Sequence, residues 1–317
     1  MDYIYKVWIA GGREHFAYGN GQEMKKADLP FAESLLELLY LDVGALGGSF
    51  ESMDKSLTML NETKEQQYAD EVRSVLDGIA KRHIYFELLR LNWRERLKRA
   101  REQHYEDTVN LLPSKTLTQV LSNISTMQEQ IRTLLAGVLD LDGGKKPVQE
   151  KMVDYYNDKG RNPLNTFRFQ PQTMYFEAVD HKTFTEVLYP KDIYDIINYF
   201  VRECVKREQP MRVCKSCKRY FAINGRVNTE YCDRPIDGNG RTCKDVGAIN
   251  LWNEKRKNDE VFKVYRREYK KRFSWIKAGK IEQDEFYAWS EKAREEKAKC
   301  AAGEISLHQF NDWLRES

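Results

Sequence analysis

Residues 211–252 read MRVCKSCKRYFAINGRVNTEYCDRPIDGNGRTCKDVGAINLW, and four of the chain's six cysteines fall in this stretch at the spacing Cys214-x2-Cys217-x14-Cys232-x10-Cys243. Two residues between the first pair let both thiolates turn toward one ion while neighbouring amides point at the sulfurs. The second pair completes the tetrahedral set that structural zinc takes. Four thiolates leave no open coordination position and no histidine lies in the stretch, so the expected ion is one structural Zn2+ rather than a catalytic one. Asn224-Gly225 offers a hairpin turn between Tyr220-Phe221 and residues 229–231, and Cys243 stands at the entry to a helix. A segment this small and basic has no core of its own; bound metal supplies it.

Charge is concentrated around the same stretch. The chain of 317 residues carries a net charge of +3, but residues 211–273 hold 17 Lys/Arg against 8 Asp/Glu, a local +9, while residues 1–210 sum to −4 and residues 274–317 to −2. Charged residues make up 32% of the chain and the mean hydropathy is −0.72, which excludes a membrane-embedded protein. The N-terminal residues lack a basic segment followed by an apolar run, so a cytoplasmic address is expected, where reduced thiols favour metal over disulfides.

Outward from the ribbon, the chain reads as α+β. Residues 3–9 alternate and are rich in aromatic and β-branched side chains, Gly11-Gly12 offers a turn, and residues 14–18 return as a partner strand. Leu29-Pro30 is expected to open a short helix with Phe31, Leu35, Leu38 and Leu39 on one face, stopping at the glycines of residues 44–48. From about residue 52 to residue 140 apolar residues recur at helical spacing, interrupted by Pro113, with Ser114 as a candidate cap. Pro147 begins a further helix. Residues 166–169, 173–179 and 183–188 predict a three-stranded meander that could join the N-terminal hairpin. A helix follows with the stripe Ile193, Ile197, Phe200, Cys204 turned inward; Cys204 is read as a buried small hydrophobe.

Beyond Cys243 the pattern is helical almost to the end. Residues 278–289 (AGKIEQDEFYAW) and 302–313 (AGEISLHQFNDW) share Ala, Gly, Ile, Phe and Trp at equal positions: a glycine stop, an isoleucine, a capping segment, then a helix that buries its Phe and Trp. The expected organisation is a mixed α+β domain over residues 1–210 (helical bundle plus small antiparallel sheet), a four-cysteine zinc ribbon over residues 211–250, and a basic helix with the tandem repeat over residues 251–317.

The motif CKSCKRYF, then Asn-x2-Tyr-Cys, then Cys-x3-Gly leading into a basic helix resembles the CGNR-type zinc ribbons of bacteria, and the layout of a mixed domain before MRVCKSCKRYF resembles an uncharacterised bacterial family of unknown function carrying such a ribbon. The resemblance covers roughly residues 213–256. It implies Cys214, Cys217, Cys232 and Cys243 as metal ligands and a regulatory DNA-binding role. The family's Cys-Gly-Asn-Arg tetrad is replaced here by Cys243-Lys244-Asp245-Val246-Gly247, and the loop before Cys243 is longer.

Nucleic-acid binding is the expected function, in a regulatory, mobile-element or defence setting. The ribbon is the platform, and Lys215, Lys218, Arg219, Arg226, Lys255, Arg256, Lys257, Arg266, Arg267, Lys270 and Lys271 are the candidate phosphate contacts. Tyr220, Phe221, Tyr231 and Tyr265 lie among these charges and could stack on bases, although a role in the small core behind the zinc is favoured. The alternative is an adaptor that docks a protein partner through the ribbon and the C-terminal repeat. No P-loop, Rossmann glycine motif, His-Glu-x2-His or nucleophile elbow occurs, and the five histidines are scattered, so no enzymatic activity is expected.

Overall fold

Aromatic and β-branched alternation at the N-terminus yields the expected hairpin, β1 (Tyr3–Ala10) with β2 (Arg13–Asn20), closed by Gly11 and Gly12 in the left-handed region at φ 57° and 71°. The computed structural model describes residues 3–21, 23–257 and 259–317, with the side chains of residues 253–256 outside the description. A third strand, β3 (Glu23–Pro30), continues the meander. Leu29 and Pro30 therefore end a strand rather than open a helix. The chain is held to the hairpin turn there, where Phe31 N–H donates to the Gly12 carbonyl at 3.2 Å, and α1 (Glu33–Leu39) starts only after Ala32 has turned at φ 70°.

The sheet is antiparallel with order β3-β2-β1-β5-β4, where β4 is Met174–Ala178 and β5 is Phe184–Leu188. Residues 166–169 form no strand. Phe167 is buried there with its N–H donating to the Tyr155 hydroxyl at 2.9 Å, a side-chain substitute for ladder pairing. The long helical region resolves into α2 (Gly47–Thr63), α3 (Gln66–Ala80), α4 (Phe86–Glu102), the single turn α5 (Thr108–Leu111) and α6 (Ser114–Leu134). α6 runs into a π-helical turn, Leu135–Leu139, and α7 (Val148–Asn157) follows. α1 ends at Leu39, just before the glycines at 44–48 as expected, and a 3-10 turn at Gly44–Leu46 then passes directly into α2. Pro113 takes the N-cap position of α6, so Ser114 is its first helical residue and caps nothing.

α8 (Ile193–Lys206) buries Ile193, Ile197, Phe200 and Cys204 as its period demands. The core beneath the sheet gathers Phe16, Leu35, Leu36, Tyr85, Phe86, Ile197 and Phe200. Within it lies a polar cluster. The wholly buried Glu14 accepts from Ser34 N–H through Oε2 at 3.1 Å, and the Ser34 and Tyr85 hydroxyls are 2.8 Å apart. His83 accepts from Tyr85 N–H at Nδ1 (3.2 Å), so its Nε2 is the protonated nitrogen and donates to the Ser34 carbonyl at 2.9 Å. Burial pushes the Glu14 carboxyl up to about 8 and the His83 imidazole down to about 4, so both are neutral near pH 7.

The chain divides into two compact units, Met1–Val213 with Arg219–Thr229, and Cys214–Lys218 with Glu230–Ser317. In the first, β6 (Met211–Val213) pairs with β7 (Tyr220–Ala222), so Tyr220-Phe221 does not pair with residues 229–231 as expected. The turn between the paired strands is the Cys214-x2-Cys217 knuckle itself, and the Arg212 guanidinium holds the later loop by donating to the carbonyls of Val227 (2.8 Å) and Thr229 (2.9 Å).

The second unit carries α9 (Cys243–Lys257), α10 (Glu260–Lys277), α11 (Gln283–Ala301) and α12 (Leu307–Glu316). The basic helix expected over residues 245–271 is thus two helices. Asp259 starts the second by accepting Phe262 N–H at 2.8 Å. The repeat forms as two equivalent turns: Gly279 and Gly303 at φ 64° and 80°, capping boxes at Glu282/Glu285 and Ser306/Gln309, and one cluster that buries Phe286, Trp289 and Phe310 with Trp313 against it. The fold is α+β, with a sheet and helices first and a helical extension last. Among the described residues no helix is long and apolar enough to cross a membrane.

Candidate metal centre

Cys214 and Cys217 come from the knuckle, Cys232 from the loop that returns to it, and Cys243 from the first residue of α9. Three backbone bonds fix this assembly: Lys218 N–H to the Cys214 carbonyl closes the knuckle, Lys215 N–H to the Glu230 carbonyl brings in the second arm, and Lys244 N–H to the Cys232 carbonyl brings in the helix, each at 3.0 Å. The four sulfurs all lie within 4.8 Å of one another, with Cys217 and Cys232 Sγ 3.7 Å apart. Tetrahedral coordination at a metal–sulfur distance of about 2.3 Å requires sulfur–sulfur edges of about 3.8 Å, so the spacing suits a single ion. Cys232 N–H donates to Cys214 Sγ at 3.4 Å, and Arg234 Nη1 stands 3.9 Å from both Cys217 and Cys232 Sγ. The four cysteines could hold one metal ion in a closed, all-thiolate site.

Electrostatics point the same way. Burial raises the Cys214 thiol, but the N–H groups of Cys232, Cys217 and Ser216 outweigh it and bring the thiol down to about 7. Burial and the neighbouring Cys214 hold Cys232 well above the ordinary thiol range, and burial raises Cys243. One thiolate therefore suppresses ionisation of the next; four ionise together only around a cation.

Two residues of the centre carried no sequence signal. Arg234 supplies the positive charge beside the sulfurs, and Gly247, on the first turns of α9, is buried so tightly that a Cβ there would stand 2.4 Å from Tyr231 Cδ1 and 3.1 Å from Ser216 Cβ. Tyr231 is half-buried with its ring against Gly247, Tyr220 and Phe221 are buried, and Tyr265 packs against the C-terminal cluster, so each of the four rings is engaged in packing.

The candidate phosphate contacts divide between the units. Arg219 and Arg226 belong to the first, where Arg219 is exposed above the Tyr40 ring at 5.2 Å and Arg226 is exposed. In the second, Lys215 pairs with Glu230, Lys218 donates to the Lys215 carbonyl at 2.8 Å, and Lys257 is exposed. The side chains of Lys255 and Arg256 lie outside the described residues. Arg266, Arg267, Lys270 and Lys271 fall together on one exposed face of α10, and this face extends to Lys263 and Lys277. The opposite face packs Val261, Val264, Tyr265, Tyr269 and Ile276 against the C-terminal cluster. Glu268, buried between them, pairs with Lys271 at 3.1 Å and with Arg267 at 3.9 Å, and Arg267 also reaches Asn311 at 3.2 Å.

Residues 166–315 match the model of a family described as a family of unknown function (DUF6076), a stretch that takes in β4, β5, α8, the four cysteines and nearly all of the C-terminal helices. No curated protein and no solved structure matches the chain.

Proposed function

We propose that this chain is a zinc-structured nucleic-acid-binding protein rather than an enzyme. Cys214, Cys217, Cys232 and Cys243 hold one Zn2+ that fixes how α9 leaves the knuckle, and the exposed face of α10 contacts phosphates. Zinc is the ion favoured by an all-thiolate tetrahedral set, and a closed shell of four sulfurs gives it a structural task. The observation that carries the binding reading is the face of α10: Lys263, Arg266, Arg267, Lys270, Lys271 and Lys277 are all exposed on one side of an amphipathic helix whose other side is anchored in a core. The local charge of +9 over residues 211–273 and the resemblance to CGNR-type ribbons support the same reading.

Fluorescence anisotropy with duplex and single-stranded oligonucleotides at about 50 and about 200 mM salt tests it. Six phosphate contacts predict a loss of affinity of about a thousandfold between the two salts. A variant with Lys263, Arg266, Lys270 and Lys277 changed to Gln should bind more weakly and with a flatter salt dependence, at unchanged metal content. Failure of the wild-type chain to bind either oligonucleotide at the lower salt refutes the reading.

A further inference from the structure

The sheet ends differently at its two edges. β3 is guarded: Lys25 and Lys26 are exposed along it, Asp28 pairs with Arg13 at 2.6 Å, and Pro30 ends it, devices that discourage pairing with another strand. β4, MYFEA, carries a single charge, Glu177, and that carboxylate is engaged within its own sheet, accepting from Lys6 Nζ at 2.6 Å and from the Tyr189 hydroxyl at 2.8 Å. The bond from Val179 N–H to the Thr183 carbonyl (3.0 Å) sets the alternation, so the backbone groups of Tyr175 and Glu177 face β5 while those of Met174, Phe176 and Ala178 point to the open edge. Aromatic rings crowd this edge. Phe176 and Phe184 are stacked at 6.0 Å yet 65% and 70% exposed, and on the other face Tyr175 and Tyr189 meet edge-on at 5.6 Å while 54% and 39% exposed.

We propose that β4 pairs antiparallel with β4 of a second copy of this chain about a two-fold axis through Phe176, merging two five-stranded sheets into one. Three observations select a second copy as the occupant. The strand is complementary to itself in this register: Phe176 meets its counterpart, Met174 faces Ala178, and Glu177 faces Tyr175, so no like charges stand opposite. The surrounding charge is low and slightly acidic, with Arg168 and Lys182 against Glu177, Asp180 and Glu186 over residues 166–188, which disfavours nucleic acid and leaves self-association unopposed. The area is also of the right order. Four half-exposed aromatics offer about 400 Å² per copy, about half of what a standard interface buries on each side, before the backbone and Met174 are counted. The pairing is independent of the metal and of α10.

Sedimentation velocity of the full chain from about 1 to about 100 μM tests the pairing, with an expected dimer fraction that rises across that range. Phe176→Lys puts like charges opposite each other, and Phe176→Pro removes an edge N–H while leaving the ladder to β5 intact; both should stay monomeric with wild-type circular dichroism. Phe184→Ser, which leaves β4 untouched, should weaken dimerisation about tenfold. In the wild type, hydrogen exchange at the Phe176 and Ala178 amides should slow as concentration rises, a readout that needs no variant to fold. A wild-type chain that is monomeric at the highest concentration, a dimer that survives both Phe176 substitutions, or exchange at those amides that ignores concentration overturns the proposal.

Discussion

Around β1, β2 and α8, Phe16, Leu35, Leu36, Ile197 and Phe200 are excluded from water among dozens of apolar neighbours, whereas across residues 214–218 and 230–243 the buried side chains are three sulfurs, those of Cys214, Cys232 and Cys243. Ile236, the one large aliphatic side chain in that second stretch, is 45% exposed. At about 1.5–3 kcal/mol per buried large apolar side chain, the first region has ample apolar burial to offset its chain entropy, and the second has almost none. On the reading proposed above, its tertiary structure comes from the bonds of one ion to four sulfurs. The comparison also separates their polar interiors. The first region buries ionisable groups in neutral form, Glu14 and His83, while the second, on the proposed reading, holds its thiols ionised around the metal.

The comparison breaks most sharply under loss of metal. Structural zinc contributes an apparent ~10–16 kcal/mol to small zinc-dependent folds near neutral pH, so on the proposed reading its loss is the largest single change this stretch can undergo. Cys217→Ser, or a strong chelator, is expected to abolish the protection of amides over residues 230–247 in hydrogen exchange, with the ion lost in native mass spectrometry. Protection in β1, β2 and α8 should remain. Full metal content in the variant, or collapse of both regions together, contradicts the contrast drawn above.

The next largest effect is on the apolar side. The Glu14 carboxyl, raised by burial to about 8 against 4.5 when free, keeps its proton in the folded chain after the unfolded chain has lost it. Its contribution is therefore complete below pH 4.5 and declines, at about 1.4 kcal/mol per pH unit, as pH rises toward 8. His83, lowered by burial to about 4 from 6.5, acts in the opposite sense: its contribution is complete above pH 6.5 and is lost as pH falls through 4. Between pH 4.5 and 6.5 the two slopes oppose each other, and from 6.5 to 8 only that of Glu14 remains. Denaturant unfolding read at the β1 and β2 amides should show stability falling by about 2 kcal/mol across that upper window. Glu14→Gln, neutral at every pH and able to accept from Ser34 N–H, should flatten it. A wild-type profile already flat there would mean that Glu14 ionises in place.

Much of this contrast was legible in the sequence, and the parts that were not share a cause. The inward stripe of α8, the N-terminal hairpin and the four cysteines are local patterns in which each residue's role follows from its spacing. β3 was not legible, because an edge strand with Lys25, Lys26 and Asp28 along it has no apolar alternation to show. Residues 166–169 carry the aromatics of a strand, yet Phe167 satisfies its backbone on Tyr155, twelve residues away. Asn224-Gly225 signalled a hairpin, but β7 pairs back across the knuckle, and the choice rests on Arg212 holding the Val227 and Thr229 carbonyls. Asp259 was readable as a cap and was hidden by the charge run around it. Arg234 and Gly247 are set by what approaches them in space, which no spacing encodes.

Gly247 gives the smallest of these effects and the finest resolution of the comparison. Two terms of opposite sign meet there. Inside α9, Gly→Ala should stabilise by about 1 kcal/mol through helix propensity. Against it stands a Cβ 2.4 Å from Tyr231 Cδ1 and 2.7 Å from Cε1, two carbons of one aromatic ring, and overpacking of this kind costs about 1–3 kcal/mol. The ring has to move, and Tyr231 is the immediate neighbour of Cys232, so the displacement is transmitted to a ligand. Gly247→Ala should therefore weaken metal affinity by about tenfold in competition with a chromophoric chelator while α9 itself gains helicity. The double substitution Gly247→Ala with Tyr231→Ala removes the clash and should restore part of the affinity. If Gly247→Ala alone bound metal as tightly as the wild type, the ring would be free to yield, and the metal site would be supported by its backbone bonds and Arg234 without a packed partner behind it.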